Sequence, residues 1–131
     1  GIDQNEMYAK LHEAYGAFAK EQGLSVIPFG AAVQEWRRRL PVRYTANSFG
    51  GDVIGEDVLP ADTLFKRNAK GEWVINCDAF HTGQRGNYFQ GLVWAATLLG
   101  IDPEAVGYRP DFVTESDGRL MKRIAKELTK E

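Results

Sequence analysis

One cysteine and two histidines are all that 131 residues contain of the side chains most used for redox chemistry and transition-metal binding. Cys77 alone excludes an internal disulfide. A zinc site built from Cys77, Asp78 and His81 lacks a fourth ligand, because the other histidine, His12, sits far away in the sequence. No cofactor or metal is expected. Long apolar runs are missing too: none approaches the ~20 residues of a membrane span. Charge of either sign is not in excess, with 16 basic and 18 acidic residues interspersed and a net charge of −2. That balance excludes the electrostatic footprint of a nucleic-acid binder and a basic face for an anionic membrane. The one basic cluster, Arg37-Arg38-Arg39, falls at the end of an expected helix, where it complements the negative helix terminus. No signal peptide is visible, but Gly1 reads as a processed end or an expression scar. Compartment is therefore open, a secreted or periplasmic location included.

What is present supports one core: a hydrophobic content of 44% over this length suits a single domain. Asp3 and Glu6 make a capping box, and Met7, Leu11, Ala14, Tyr15 and Phe18 recur at helical spacing, so an amphipathic helix is expected over 4–22, ending at Gly23. His12 falls beside that stripe and reads as a partly exposed helix histidine. Leu24 to Phe29 is a short apolar run with Val26 and Ile27, the profile of a buried parallel strand that ends near Pro28. A second helix is expected over about 31–40, with Ala32, Val33, Trp36 and Leu40 inward and Pro41 as its stop. Residues 42–62 form a long loop. Leu64-Phe65-Lys66 and Trp73-Val74-Ile75, joined across Asn68 to Gly71, read as a β-hairpin. A helix over 84–99, a stop at Gly100, a turn starting at Asp102-Pro103 and a polar last helix over about 114–129 complete the series.

The stretch richest in chemistry is Asp78-Ala79-Phe80-His81. A carboxylate and an imidazole at this spacing can form a relay pair, the carboxylate fixing the tautomer while the free ring nitrogen takes a proton from a nucleophile. The same two residues also suit a loop histidine beside an Asx-turn carboxylate. No serine stands in a setting that matches them: Ser25 lies in the apolar run, Ser116 in the polar tail, and Ser48 in Asn47-Ser48-Phe49-Gly50-Gly51. Cys77, directly before Asp78, reads as an inert thiol, since an adjacent carboxylate raises a thiol pKa. Gly50-Gly51-Asp52 and Gly83-x-x-Gly86 lack the strand, lysine and helix grammar of a phosphate loop. Trp36 and Trp94 read as packing residues. Trp73, on the hairpin before the Asp78/His81 loop, could wall a substrate site and stack a sugar ring.

Three pieces together resemble the carboxyl-terminal half of SGNH (GDSL-type) hydrolases, most of all an uncharacterised bacterial subfamily. They are Val26-Ile27-Pro28-Phe29-Gly30 with Ala32-Val33 and Trp36-Arg37; the Asp78-x-x-His81 block with Gly86 beyond it; and Tyr88-Phe89-Gln90-Gly91-Leu92-Val93-Trp94 running to Asp102-Pro103. The resemblance covers roughly residues 7–109. It implies an α/β fold: the C-terminal portion of a flavodoxin-like three-layer domain, with few strands in this chain and a β-hairpin, so that 1–131 would be a single, partial domain. It further implies that Asp78 and His81 are the acid and base of a Ser-His-Asp triad in an esterase or deacylase acting on a small acylated substrate, a carbohydrate ester among the candidates. The nucleophile block has no counterpart here, so the isolated chain is expected to be inactive. The alternative is a non-catalytic binding or accessory module, carbohydrate binding included, that uses the 42–62 loop and the hairpin for recognition. An unpaired edge on the Leu24–Phe29 strand would lead to a homo-oligomer or to association with a missing N-terminal part.

Overall fold

The computed structural model describes residues 4–39, 65–75 and 84–130, with the strands of the hairpin given by their backbone. The elements in chain order are α1 (Gln4–Gln22), α2 (Phe29–Arg39), β1 (Phe65–Arg67), β2 (Trp73–Ile75), α3 (Gln84–Leu99), a 3-10 turn (Pro103–Ala105) and α4 (Glu115–Thr129).

Local sequence explains most of these boundaries. Glu6 and Lys10 pair at 2.9 Å one turn apart in α1. Gly23 then takes φ +66°, which lets the Leu24 amide reach back to the Ala19 carbonyl at 2.8 Å and closes the helix in a Schellman turn. Gly100 also ends α3 in the left-handed region, at φ +65°, with its own amide 3.1 Å from the Ala96 carbonyl, the simpler αL cap. Asp102 caps the 3-10 turn by accepting from the Glu104 amide, and Pro103 follows it at the first helical position. Thr114 caps α4 by accepting from the Asp117 amide at 3.1 Å.

The core is a helical layer of α2, α3 and α4. Trp36 and Ala32 come from α2, Phe89, Leu92 and Val93 from α3, and Met121, Ile124 and Ala125 from α4, with Val113 closing one end. The Trp36 and Phe89 rings lie 5.8 Å apart at 52°, and Phe29 meets Phe89 edge-on at 6.0 Å. α4, expected to be a polar helix, packs against both α2 and α3, which also meet each other. Its apolar residues Leu120, Met121, Ile124, Ala125 and Leu128 occupy one face, so a low overall hydropathy conceals a fully used apolar stripe.

The α/β expectation is overturned. Among the described residues the only strands are β1 and β2, three residues each, paired antiparallel with Phe65 opposite Ile75 and Arg67 opposite Trp73. The hairpin turn is held by Asn68, whose side-chain oxygen accepts from the amides of Lys70 and Glu72, with Gly71 at φ +78°. No parallel sheet of a flavodoxin-like or SGNH-hydrolase domain is present among the described residues, and those names together with the hydrolase and esterase designations they carry do not describe this architecture.

The residues expected to form a buried parallel strand are neither helix nor strand over Leu24–Ile27, and α2 already starts at Phe29. Pro28 has no amide to give a ladder; its carbonyl instead accepts the Ala32 amide at 3.0 Å and opens α2. The apolar run serves two ends: Ile27 and Phe29 pack on the helical core, while Leu24 and Val26 are exposed. With no strand at 24–29, the unpaired strand edge expected to drive association has no basis.

Candidate functional site

Leu24–Pro28 runs as a ridge between two depressions, and this placement follows from the two turns that bound it. The Schellman turn at Gly23 reverses the chain at the end of α1, and the Pro28 start of α2 brings it back against α1.

On one side the ridge faces α1 across a cleft of about 330 Å³, lined by Tyr8, Leu11, His12 and Tyr15 from α1 and by Val26, Ile27, Pro28, Gly30 and Ala31. Tyr8, His12 and Tyr15 are spaced four and three residues apart, so a single helix face presents them together. The Tyr8 and His12 rings lie 5.5 Å apart, tilted by 30°. Gly30 is what allows Tyr8 to lie against the first turn of α2: a Cβ at that position would stand 3.1 Å from the ring edge. The volume lies within the ~300–1,000 Å³ of small-molecule sites, near the lower end. Its walls are aliphatic and aromatic, with one imidazole and two phenol hydroxyls as polar groups. Serine, cysteine, aspartate and glutamate are absent from this lining. The cleft can therefore hold a ring or a short apolar chain, and among the described residues its lining supplies no nucleophile and no carboxylate partner for His12.

On the other side a broader depression of about 600 Å³ lies between the ridge and the ends of α3 and α4, reaching Ser25, Thr97, Gly100, Thr129 and Lys130. It is polar, but two hydroxyls are committed: Thr97 donates to the Val93 carbonyl at 2.8 Å and Thr129 to the Ala125 carbonyl at 2.7 Å. Beside it Lys126 bridges Asp102 at 2.8 Å and Glu104 at 2.6 Å. The Lys126 contact holds the Asp102 carboxyl below its ordinary range, and Asp102 in turn holds the Lys126 ammonium above its own. Two carboxylates share the one Lys126 ammonium, so this corner keeps a net negative charge, while Lys130 also lines the depression.

Tyr88 is the remaining conspicuous polar aromatic. Burial pushes its phenol pKa up, and its hydroxyl donates to the Tyr108 carbonyl at 2.9 Å. This ties α3 to the segment before α4. No cluster of histidine, cysteine and carboxylates suited to a metal occurs among the described residues, and no described helix is long and apolar enough to cross a membrane.

Asp78 and His81, the residues the sequence singled out, lie outside the described residues, as do Cys77 and Ser48. Trp73 opens β2 opposite Arg67 through its backbone. Of the other tryptophans, Trp36 is fully buried, whereas Trp94 stands 45% exposed and is not a core residue. His12 is exposed on α1, as expected of it. What sequence reasoning missed is the row of Tyr8, His12 and Tyr15. Its helical spacing was visible, but its partner across the cleft was read as a buried strand. No family model, no curated protein and no solved structure matches this chain.

Proposed function

We propose that this chain is a non-catalytic binding or accessory module whose recognition site is the cleft between α1 and the Leu24–Ala31 segment. One observation carries the reading: a concave site of ligand size, walled by Tyr8, Tyr15, Ile27 and Pro28, sets polar hydrogen-bonding groups at the edges of aromatic faces. Phenol and imidazole rings offer flat faces to a ring-shaped ligand and donors at their edges. That combination suits a sugar or another ring with one apolar face. The helical core of Trp36, Phe89, Met121 and Ile124 supports the site without needing a sheet.

The competing reading gives Asp78 and His81 the acid and base roles of an acyl-transfer triad. One experiment separates the two. The chain is titrated with a panel of mono- and disaccharides while amide chemical shifts are followed, and in parallel it is incubated with short-chain aryl esters. Shifts confined to α1 and residues 24–31, lost in Tyr8→Ala, together with no hydrolysis above background, are the expected outcome. Ester turnover that disappears in His81→Ala overturns it.

A further inference from the structure

α1 is 19 residues long, yet the one side chain it buries is Ala19. Tyr8 is half-buried, and every other residue from Asn5 to Gln22 is exposed. By contrast, α2, α3 and α4 pack on one another around Trp36, Phe89 and Ile124. From Met7 to Gln22, no side chain of α1 forms a hydrogen bond or ion pair with another described element; Lys10 pairs with Glu6 of its own helix. The joint to α2 is equally bare. The Leu24 amide belongs to the cap of α1, and the Phe29 amide reaches the Ile27 carbonyl at 2.9 Å. Between them, among the described residues, Ser25 and Val26 make no backbone hydrogen bond. A helix with little buried surface on a connector without backbone bonds is the least stable part of a structure.

We propose that α1 is a hinged arm that turns about Leu24–Val26, and that Tyr8 seated on Gly30 is the latch that shuts the cleft on its ligand. The proposal rests on the cleft being the recognition site. Its two walls belong to different bodies. Tyr8, His12 and Tyr15 ride on the arm, whereas Ile27 packs on the core and Pro28, Gly30 and Ala31 open α2, which Ala32 and Trp36 anchor there. At the far end of the cleft from the joint, the Tyr8 ring lies where a Cβ on residue 30 would stand 3.1 Å away, so the absent side chain lets the ring seat fully. Tyr8 stands about 22 Å along the helix from Gly23, and a turn of about 10° at the joint therefore moves it by roughly 4 Å. That displacement unseats the ring and leaves the helical layer undisturbed. Hinge closure of this kind needs a few connector residues that absorb the backbone change. A ligand that touches both walls binds the shut arrangement better than the open one and shifts the arm toward Gly30.

Pulsed dipolar spectroscopy between nitroxides on Ala9→Cys and Arg123→Cys, both exposed positions outside the cleft, tests this in a Cys77→Ser background. Without any ligand, Gly30→Ala should widen the distance distribution and shift its mean by several ångström, with far-UV circular dichroism and melting temperature little changed. Tyr8→Ala should do the same by removing the other half of the latch. A saccharide that shifts α1 resonances should narrow the distribution onto the latched distance. One narrow distance, identical in the unlatched variants and their parent, overturns the proposal. So does a shift accompanied by loss of cooperative melting, which would make α1 part of the core, or a saccharide that binds and leaves the distribution broad. Saccharides that bind nothing while the distances still respond to Gly30→Ala would instead remove the recognition reading and leave the hinge standing.

Discussion

Arg85 in the first turn of α3 holds Asp117 in the first turn of α4, guanidinium to carboxylate, at 3.0 Å. Asp117 is the one acidic residue of the core region, 6% exposed, and it reaches this position because Thr114 caps α4 three residues earlier. The carboxylate thus serves two ends at once: it lies near the positive end of α4 and it ties the starts of two packed helices together. The Arg85 Nε is buried without a partner, so the contact is a single-ended one rather than a fork.

Removing one member of this pair should cost more than removing both. Asp117→Ala leaves Arg85 partly buried without its counter-charge and is expected to cost about 2–3 kcal/mol. Arg85→Met with Asp117→Leu should recover part of that loss. Urea unfolding of the two single variants and the double variant measures it, and a double variant as unstable as the sum of the singles would contradict the pairing.

Truncating the aromatic centre of the helical layer should be the most damaging change in the core. Phe89 is fully buried and meets both Trp36 and Phe29. Phe89→Ala is expected to cost about 3–5 kcal/mol, and Ile124→Val about 1 kcal/mol. Thermal and urea denaturation give both values; equal, small effects would mean that the described core is not the one that holds the chain together.

Acid should loosen the contact between α2 and α4. Glu35 accepts from Arg38 and Arg39, and Arg39 also reaches Glu127 at 2.5 Å. The hydrogen bond from Arg38 holds the Glu35 carboxyl below its ordinary value, and that from Arg39 does the same to Glu127. Carboxyls whose folded pKa is lowered stabilise the fold above their unfolded pKa and lose that contribution as pH falls through the folded value. Melting temperature should therefore be flat near neutrality and decline on the acid side of the ordinary glutamate range. Glu35→Gln should flatten the decline, and high salt should do so in part, because Arg38 and Glu127 are exposed while Glu35 and Arg39 are half-buried.

Gly30→Ala separates the cleft from the core. The added methyl meets only the Tyr8 ring edge, so Tyr8 must give way while the helical layer stays intact. The expected outcome is a small change in melting temperature with a clear loss of ligand-induced shifts at α1. Gly23→Ala should do the reverse: φ +66° disfavours a side chain by about 1 kcal/mol, with the cleft residues themselves unchanged.

The helices were legible in the sequence because their signals are local. Gly23 and Gly100 stop α1 and α3, Asp102-Pro103 starts the turn, Thr114 caps α4, and Asn68 to Gly71 turns the hairpin; each works within four or five residues of chain. What the run from Leu24 to Phe29 becomes is not a local matter. The same apolar residues form a strand if a parallel neighbour takes up their amides and carbonyls, and a packed ridge if helices cover them; periodicity alone does not distinguish these. Only the tertiary structure decided it, because Pro28 opens α2 and Trp36, Phe89 and Ile124 supply a core without a sheet. Sequence determined likewise that α1 is amphipathic, but not that Met7, Leu11 and Phe18 face solvent. Which side of a helix is covered depends on where the rest of the chain lies, and α2, α3 and α4 satisfy one another first.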